Sequence, residues 1–358
     1  MSGFVDPLAP EALFESEAAP AVTLADRFGV PPFSVLDRRA GLWQERKRAW
    51  LSLGIKSELG RDTNLLKRSG FTDDYFNGAG QFKHKRGSGP HPGGGGGGAW
   101  LGQKAGGGTA SYDPKWGGGD GEAGDVETVG TSIFDPVLAE LAVRWFSKVG
   151  WQVLDPFAGG SVRGIVSGVL GRDYLGVDLR ADQVNANWQQ IGLVPDGLPK
   201  PRWLAGDSLH VLPALTHFAA DLILTCPPYA DLEVYSDDPR DLSTMDYDMF
   251  LVVQQAILAE AVEHLRPNRF VVWVTSDVRD KAKVGSPYRA LVADTIHAAQ
   301  DCGLELYNDL VILDPVGSGA VRAGRHFSSA RKVIRMHQHA LVFVKGDPKV
   351  ATDEMGTV

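Results

Sequence analysis

Gln152-Val153-Leu154-Asp155-Pro156-Phe157-Ala158-Gly159-Gly160-Ser161 is the stretch that decides the fold of this chain. A short apolar run ends at an aspartate, a proline stops it, and two adjacent glycines follow before the helical spacing of residues 164–170. Strand, glycine turn and helix in that order open an α/β unit. Glycine lets the backbone turn sharply and approach a ligand without a side chain in the way.

Outward from this unit the same texture repeats. Residues 174–177 read as the next strand and 181–190 as a helix; Trp203-Leu204 is a short strand, with a short helix over 209–215. Residues 222–225 form a strand, 248–265 a long helix, and 270–275 a nearly continuous apolar strand. A helix over 287–301 closes at Cys302-Gly303, and strands follow at 304–313 and 340–344 with a basic loop, 316–337, between them. Upstream, 134–148 has the period of an amphipathic helix, with Pro136 tolerable in its first turn. Strands alternating with helices predict an α/β fold with a mostly parallel sheet and helices on both faces. The last two strands predict an antiparallel hairpin at one edge.

In open α/β sheets ligands lie beyond the carboxyl ends of the strands, so the turn at 155–161 is expected to face a cofactor. Asp178, ending the next strand in Gly176-Val177-Asp178-Leu179, can accept both hydroxyls of a ribose. The turn reads G-G-S-V-R-G rather than G-x-G-x-x-G, and a carboxylate at Asp155 would repel a pyrophosphate while suiting a cationic sulfonium. This disfavours a nicotinamide enzyme. At the end of the strand 222–224 stands Thr225-Cys226-Pro227-Pro228-Tyr229. Consecutive prolines stiffen that loop and donate no backbone hydrogen, and an aromatic after them can stack on a base drawn out of a duplex.

Together these segments resemble the amino-methyltransferases of DNA, which make N6-methyladenine or N4-methylcytosine. Residues 155–161 resemble the family's D-P-F-x-G-x-G cofactor turn, with Ser161 in place of the last glycine. Asp178 resembles its ribose acid, and Gly206-Asp207-Ser208 its third motif, near the adenine of the cofactor. Residues 225–229 resemble its catalytic loop, [DNS]-P-P-[YFW], and the helix after Thr131-Ser132 the segment beside the methionine end of the cofactor. The closing strand at 339–345 is similar too. The resemblance covers residues 131–346 and implies a Rossmann-like S-adenosylmethionine-dependent methyltransferase fold, with S-adenosylmethionine as cofactor and double-stranded DNA as partner. It assigns cofactor binding to Thr131, Ser132, Asp155, Pro156, Phe157, Gly159, Gly160, Asp178 and Asp207. It assigns catalysis to Cys226, Pro227, Pro228 and Tyr229.

One departure bears on chemistry. Cys226 stands where the family has Asp, Asn or Ser, whose side chain accepts a hydrogen bond from the target amine together with the next proline's carbonyl. A thiol is a poor acceptor, which shifts that task towards Pro227. Covalent attack by Cys226 on a cytosine ring is disfavoured, because enzymes of that type carry proline before cysteine. Adenine N6 and cytosine N4 both remain open as targets, and RNA base methylation or a non-catalytic DNA-binding module are the alternative readings.

Charge and composition frame these motifs. The chain has 358 residues and a net charge of −8, yet residues 38–86 hold twelve Lys/Arg against five Asp/Glu. A second basic group comprises Arg322, Arg325, Arg331, Lys332 and Arg335, the candidate DNA-binding residues. Phosphate contact depends on local potential, so an acidic total does not exclude a nucleic acid. Only Cys226 and Cys302 occur, which excludes a disulfide framework or a four-cysteine zinc site. No apolar run reaches membrane-span length and residues 1–20 lack a signal-peptide pattern, so a cytoplasmic location without membrane contact is expected. His337 and His339 flank Gln338 without an acidic or cysteine cluster, so no metal is expected. The acids Asp231, Glu233, Asp237, Asp238 and Asp241 read as a lid over the site. The expected organisation is an N-terminal basic and helical region, 1–77, with possible DNA contact, a flexible glycine-rich segment, 78–130, the catalytic domain, 131–346, and a tail, 347–358.

Overall fold

The computed structural model describes residues 30–56, 59–60, 133–316 and 319–356, with 319–322 as backbone alone. The glycine-rich segment 78–130 lies outside the described residues, as do Thr131 and Ser132. In chain order the main elements are β1 (Val35–Asp37), α1 (Gly41–Ser52), α2 (Pro136–Phe146), β2 (Gln152–Asp155), α3 (Val162–Val169) and β3 (Asp173–Asp178). Next come α4 (Ala181–Trp188), β4 (Arg202–Ala205), α5 (Ser208–Val211), β5 (Ala220–Thr225), α6 (Tyr247–His264) and β6 (Leu265–Thr275). The chain continues through α7 (Leu291–Asp301), β7 (Glu305–Leu313), α8 (Gly319–Ala330), β8 (His337–Lys345) and α9 (Pro348–Met355).

The strands form one eight-stranded sheet in the order β1-β7-β8-β6-β5-β2-β3-β4, an α/β fold of Rossmann-like construction. β2 pairs in parallel with β3 on one side and β5 on the other, so the chain reverses its direction of travel across the sheet there. That reversal opens a crevice at the carboxyl ends of β2 and β5, where α/β proteins hold ligands. β8 runs antiparallel to both β6 and β7, the late antiparallel pairing that was expected, although α8 intervenes between β7 and β8 and the pair is not at the edge of the sheet. β1 then pairs in parallel with β7 and becomes the outermost strand.

The central strands are apolar on both faces because both are covered. Leu222 and Leu224 of β5 join the core layer that holds Leu141 of α2, Ile165 and Val166 of α3, and Trp50 of α1. Ile223, one residue over, joins the opposite layer with Phe250, Ile257 and Leu258 of α6 and Leu291 of α7. Alternation along a strand thus sorts side chains between layers. α6 starts at Asp246, whose carboxylate accepts from the Met249 backbone N–H at 2.9 Å. Replacing Asp246 with alanine should lower stability by about 1 kcal/mol, the usual worth of an N-cap. A urea midpoint unchanged from the parent would refute that role.

Three expectations about the periphery are corrected. Residues 35–52, part of the expected N-terminal basic and helical region, build β1 and α1 into the sheet layer, and Arg38, Arg39, Arg46 and Lys47 are paired with carboxylates. The Arg46 Nε donates to fully buried Glu140 at 2.6 Å, alongside Trp50 Nε1 at 2.7 Å and Arg144 Nε at 2.9 Å. Arg38 pairs with Asp135 and Asp314, and Arg39 with Asp37. These arginines neutralise acids of the fold and leave little charge for phosphates; among the described residues of that stretch Arg48 is exposed. Second, the expected loop 316–337 contains α8. Alanines 320, 323 and 330 favour a helix there, although the neighbouring glycines read as loop. Third, the expected tail carries α9, which packs on β6 with Ala351 buried and Glu354 paired to Arg269 at 2.5 Å.

Candidate active site

At the carboxyl ends of the strands lies a cleft of about 780 Å³, within the range of small-molecule and cofactor sites. Its floor is the turn Pro156, Phe157, Gly159 and Gly160 after β2, and one wall carries Asp178 after β3 and Asp207 after β4. The facing wall is Cys226, Pro227, Pro228 and Tyr229 after β5. Motifs separated by about 70 residues in sequence thus meet in one cavity because β2 and β5 are neighbours.

The glycine turn is held from behind. Gly159 has φ +50°, and a Cβ added there would meet nothing within 4 Å, so its open side faces space a ligand can enter. Its N–H donates to Asp178 Oδ2 at 2.8 Å, and its carbonyl accepts from Asn187 Nδ2 at 2.7 Å. Ser208 Oγ donates to the Pro156 carbonyl at 2.6 Å, tying the turn to the start of α5. Gly176 is required for closeness rather than φ: a Cβ would stand 2.7 Å from the Tyr174 hydroxyl and 2.8 Å from Ala158. Asp178 also accepts from the Arg180 N–H at 2.9 Å. Burial raises its pKa, and the Arg180 and Gly159 N–H donors work against that rise. Asp207 caps α5 through the Leu209 N–H at 3.0 Å and meets His210 Nδ1 at 3.1 Å.

Asp155 is a correction. It was expected to face a cationic ligand, yet it is fully buried and not part of the cleft lining. One carboxylate oxygen accepts from Arg163 Nε at 2.6 Å and the Tyr174 hydroxyl at 2.8 Å. The other accepts from Thr225 Oγ1 at 2.7 Å and the Phe157 N–H at 3.2 Å. Asp155 therefore joins β2, β3, β5 and α3 beneath the cleft, and its charge is spent on Arg163, which also donates to the carbonyls of Phe157 and Ala158.

On the facing wall, Cys226 Sγ lies 3.5 Å from the Tyr229 hydroxyl, which donates to Gln338 Oε1 at 3.1 Å. Burial pushes the Cys226 thiol up, opposed by the nearby Arg163 guanidinium. Burial thus works against forming the thiolate that nucleophilic attack requires. Burial also raises the Tyr229 phenol well above its ordinary value.

The predicted DNA-binding residues divide. Lys332 and Arg335 line the cleft, whereas Arg325 and Arg331 are exposed and outside it. Arg331 stacks on the Phe327 ring at 5.0 Å, and the side chain of Arg322 lies outside the described residues. Arg335 donates to Asp277 at 3.0 Å and to the His337 carbonyl at 3.1 Å. His337 and His339 stand with ring centroids 5.3 Å apart, and His339 meets Asp309 at 2.8 Å. Burial, with Arg335 and His339, lowers the His337 pKa. Among the described residues no cluster of three or more metal-ligating side chains occurs.

Sequence reasoning missed Arg240, Arg279, Lys281 and Tyr288, which also line the cleft. Arg279 lies over the Tyr288 ring at 4.1 Å, with Arg335 at 5.7 Å from the same ring. A signal existed for Arg279 and Lys281: they lie four and six residues past the end of an apolar strand, in the kind of loop that faces ligands. The acidic stretch after the catalytic loop does form part of the wall through Glu233, Tyr235 and Asp241, but Asp241 is turned inward to cap Ser243.

No family model and no curated protein sequence matches this chain. Among solved structures it is similar to TrmN from Thermus thermophilus, at 18% identity and a TM-score of 0.39 over 59% of this chain and 49% of that one. It is also similar to a TehB-like SAM-dependent methyltransferase from Corynebacterium glutamicum, at 17% identity and a TM-score of 0.37 over 60% and 90%. A methyltransferase from Pyrococcus furiosus gives 15% identity and a TM-score of 0.38 over 60% and 84%. The chain thus spans about half the length of TrmN. Likeness at this level says nothing about chemistry, which must come from the cleft itself. Among the described residues no helix is long and apolar enough to cross a membrane.

Proposed function

We propose that this chain is a methyltransferase that uses S-adenosylmethionine to modify an exocyclic amino group of a base in DNA, adenine N6 or cytosine N4. The observation that carries the proposal is the meeting of the open Gly159-Gly160 turn, Asp178 and the Cys226–Tyr229 loop around one cleft. The residues fit the cofactor: Gly159 leaves room for close approach, and Asp178 ends β3 as an acceptor positioned for ribose hydroxyls. When bound, S-adenosylmethionine supplies a methyl carbon on a cationic sulfur, open to attack by a nitrogen lone pair.

The protein's own groups orient and polarise. Pro227 and Cys226 accept from the target amine, which leaves its lone pair directed at the methyl carbon. The amine loses its extra proton to solvent after transfer. Tyr229 supplies a ring face for the extruded base, and Lys332, Arg279 and Lys281 give the cleft its cations for phosphates. Burial of Cys226, which works against a thiolate, supports direct transfer to nitrogen over covalent attack on a cytosine ring.

The test is transfer of labelled methyl groups to duplex DNA, single-stranded DNA and RNA, followed by mass spectrometry of the nucleosides. N6-methyladenine or N4-methylcytosine from DNA supports the proposal. Label in RNA alone, 5-methylcytosine, or DNA binding without transfer would overturn it. Asp178→Ala should weaken S-adenosylmethionine binding by roughly 10- to 100-fold, since a hydrogen bond to a charged group is worth about 1.5–3 kcal/mol. Calorimetric titration checks this; unchanged affinity removes Asp178 from the site.

A further inference from the structure

Cys226 poses a chemical problem for the proposed function, because a thiol accepts hydrogen bonds weakly and carries a hydrogen that could point at the target amine. The surrounding bonds resolve its direction. Asp314 pairs with Arg38, and as a carboxylate it can only accept. The Gln338 side chain approaches it at 3.1 Å, so the amide NH2 must face Asp314 and the amide oxygen must face the other way. That oxygen stands 3.1 Å from the Tyr229 hydroxyl, which must then donate to it. A phenol has one hydrogen, so towards Cys226 at 3.5 Å it can only accept. The thiol is left as the donor.

Resting on the function proposed above, we infer that Gln338, fixed by Asp314 and Arg38, is a positioning residue that turns the Cys226 S–H towards Tyr229 and presents the sulfur lone pairs to the target amine. From Cys226 through Tyr229 and Gln338 each group donates towards Asp314, on which Arg38 donates from the other side, so the direction of the relay originates in a carboxylate about 90 residues downstream of the cysteine. Arg38 comes from the loop after β1, so an N-terminal segment helps set the chemistry of the catalytic loop. The HxH motif acquires a purpose through its middle residue rather than its histidines.

Two measurements test the inference. The chain has only Cys226 and Cys302, so a C302A protein carries one thiol, and its S–H stretching band in the infrared reports whether that thiol donates. The parent C302A band should be that of a hydrogen-bonded thiol. Gln338→Leu, which frees the Tyr229 hydroxyl to donate to sulfur, should shift it to that of a non-donating thiol. Asp314→Asn, which lets the Gln338 amide flip, should broaden it. Identical bands in all three proteins overturn the inference whether or not the protein methylates DNA.

The second measurement is a double-mutant cycle on methyl transfer. Q338L should lower kcat about tenfold with S-adenosylmethionine affinity unchanged, the scale of one hydrogen bond. In a C226D background, where a carboxylate accepts without orientation, the same change should cost less than about twofold. Equal costs in both backgrounds would show a merely structural role and overturn the inference. An absence of transfer in the parent, with the infrared shift present, would instead count against the function while leaving the orientation of the thiol established.

Discussion

Asp155→Ala should destabilise the protein by about 3–5 kcal/mol, the cost of breaking a buried pair and leaving one charge uncompensated. Arg163 would lose its carboxylate while about 4% exposed, and the Tyr174 and Thr225 hydroxyls would lose an acceptor inside the same layer. A loss of this size is a large part of the 5–15 kcal/mol that holds a typical domain together. Asp155→Asn should be nearly as harmful, because Arg163 loses its countercharge and the new NH2 must face a donor that cannot accept, either the Arg163 Nε–H or the Phe157 N–H. Equilibrium urea unfolding measures the loss. An alanine variant with parental stability and a specific defect in cofactor binding would restore the reading of Asp155 as a ligand-facing acid.

Tyr229→Ala should lower methyl transfer by about 100-fold or more while S-adenosylmethionine affinity stays within twofold. Stacking of a base on an aromatic ring is worth about 1–3 kcal/mol. The alanine also removes the acceptor of the Cys226 thiol and the donor to Gln338, so the amine loses both its platform and an oriented partner. Tyr229→Phe separates the two, since it keeps the ring and removes the hydroxyl; it should fall between parent and alanine. The ring is only partly buried against the second core layer, so truncation should cost little stability. Single-turnover kinetics with a calorimetric control decide the matter. Full activity in the alanine variant would eliminate the stacking role, and loss of cofactor affinity would move Tyr229 into the cofactor site.

The basic lip makes a softer statement about substrate. Lys332, Arg279 and Lys281 reach the cleft although the chain is acidic overall, and Arg279 and Arg335 flank the ring of Tyr288. The cations most crowded in sequence, near residues 38–48, are instead largely paired within the fold. Local clustering along a chain measures neither exposure nor direction. A cation contributes to phosphate binding only if the fold leaves its charge unanswered at the surface.

By itself the sequence determined the alternation of strands and helices, the parallel sheet and the late antiparallel pair. Strongly apolar strands such as 270–275 and periodic helices such as 134–148 carry their own period, and glycine and proline mark the turns at 159–160 and 227–228. It also placed the two motifs at strand ends, and hence in one cleft. Tertiary structure alone decided the place of β1, because three residues hold no pattern and gain their pairing from β7, about 276 positions away. It alone decided which oxygen a carboxylate gives to whom. Asp155 ends a strand next to a glycine turn, as a ligand-facing acid would, but Arg163, Tyr174 and Thr225 converge on it only after α3, β3 and β5 have packed together. Asp314 and Gln338 show the same limit from the other side. The histidines flanking Gln338 drew attention to themselves rather than to it, and the direction of these hydrogen bonds exists only once β7 and β8 are side by side behind the catalytic loop. Periodicity is a local property of the chain, whereas the partner of a buried charge or the sense of a hydrogen bond is set by side chains that meet through the fold.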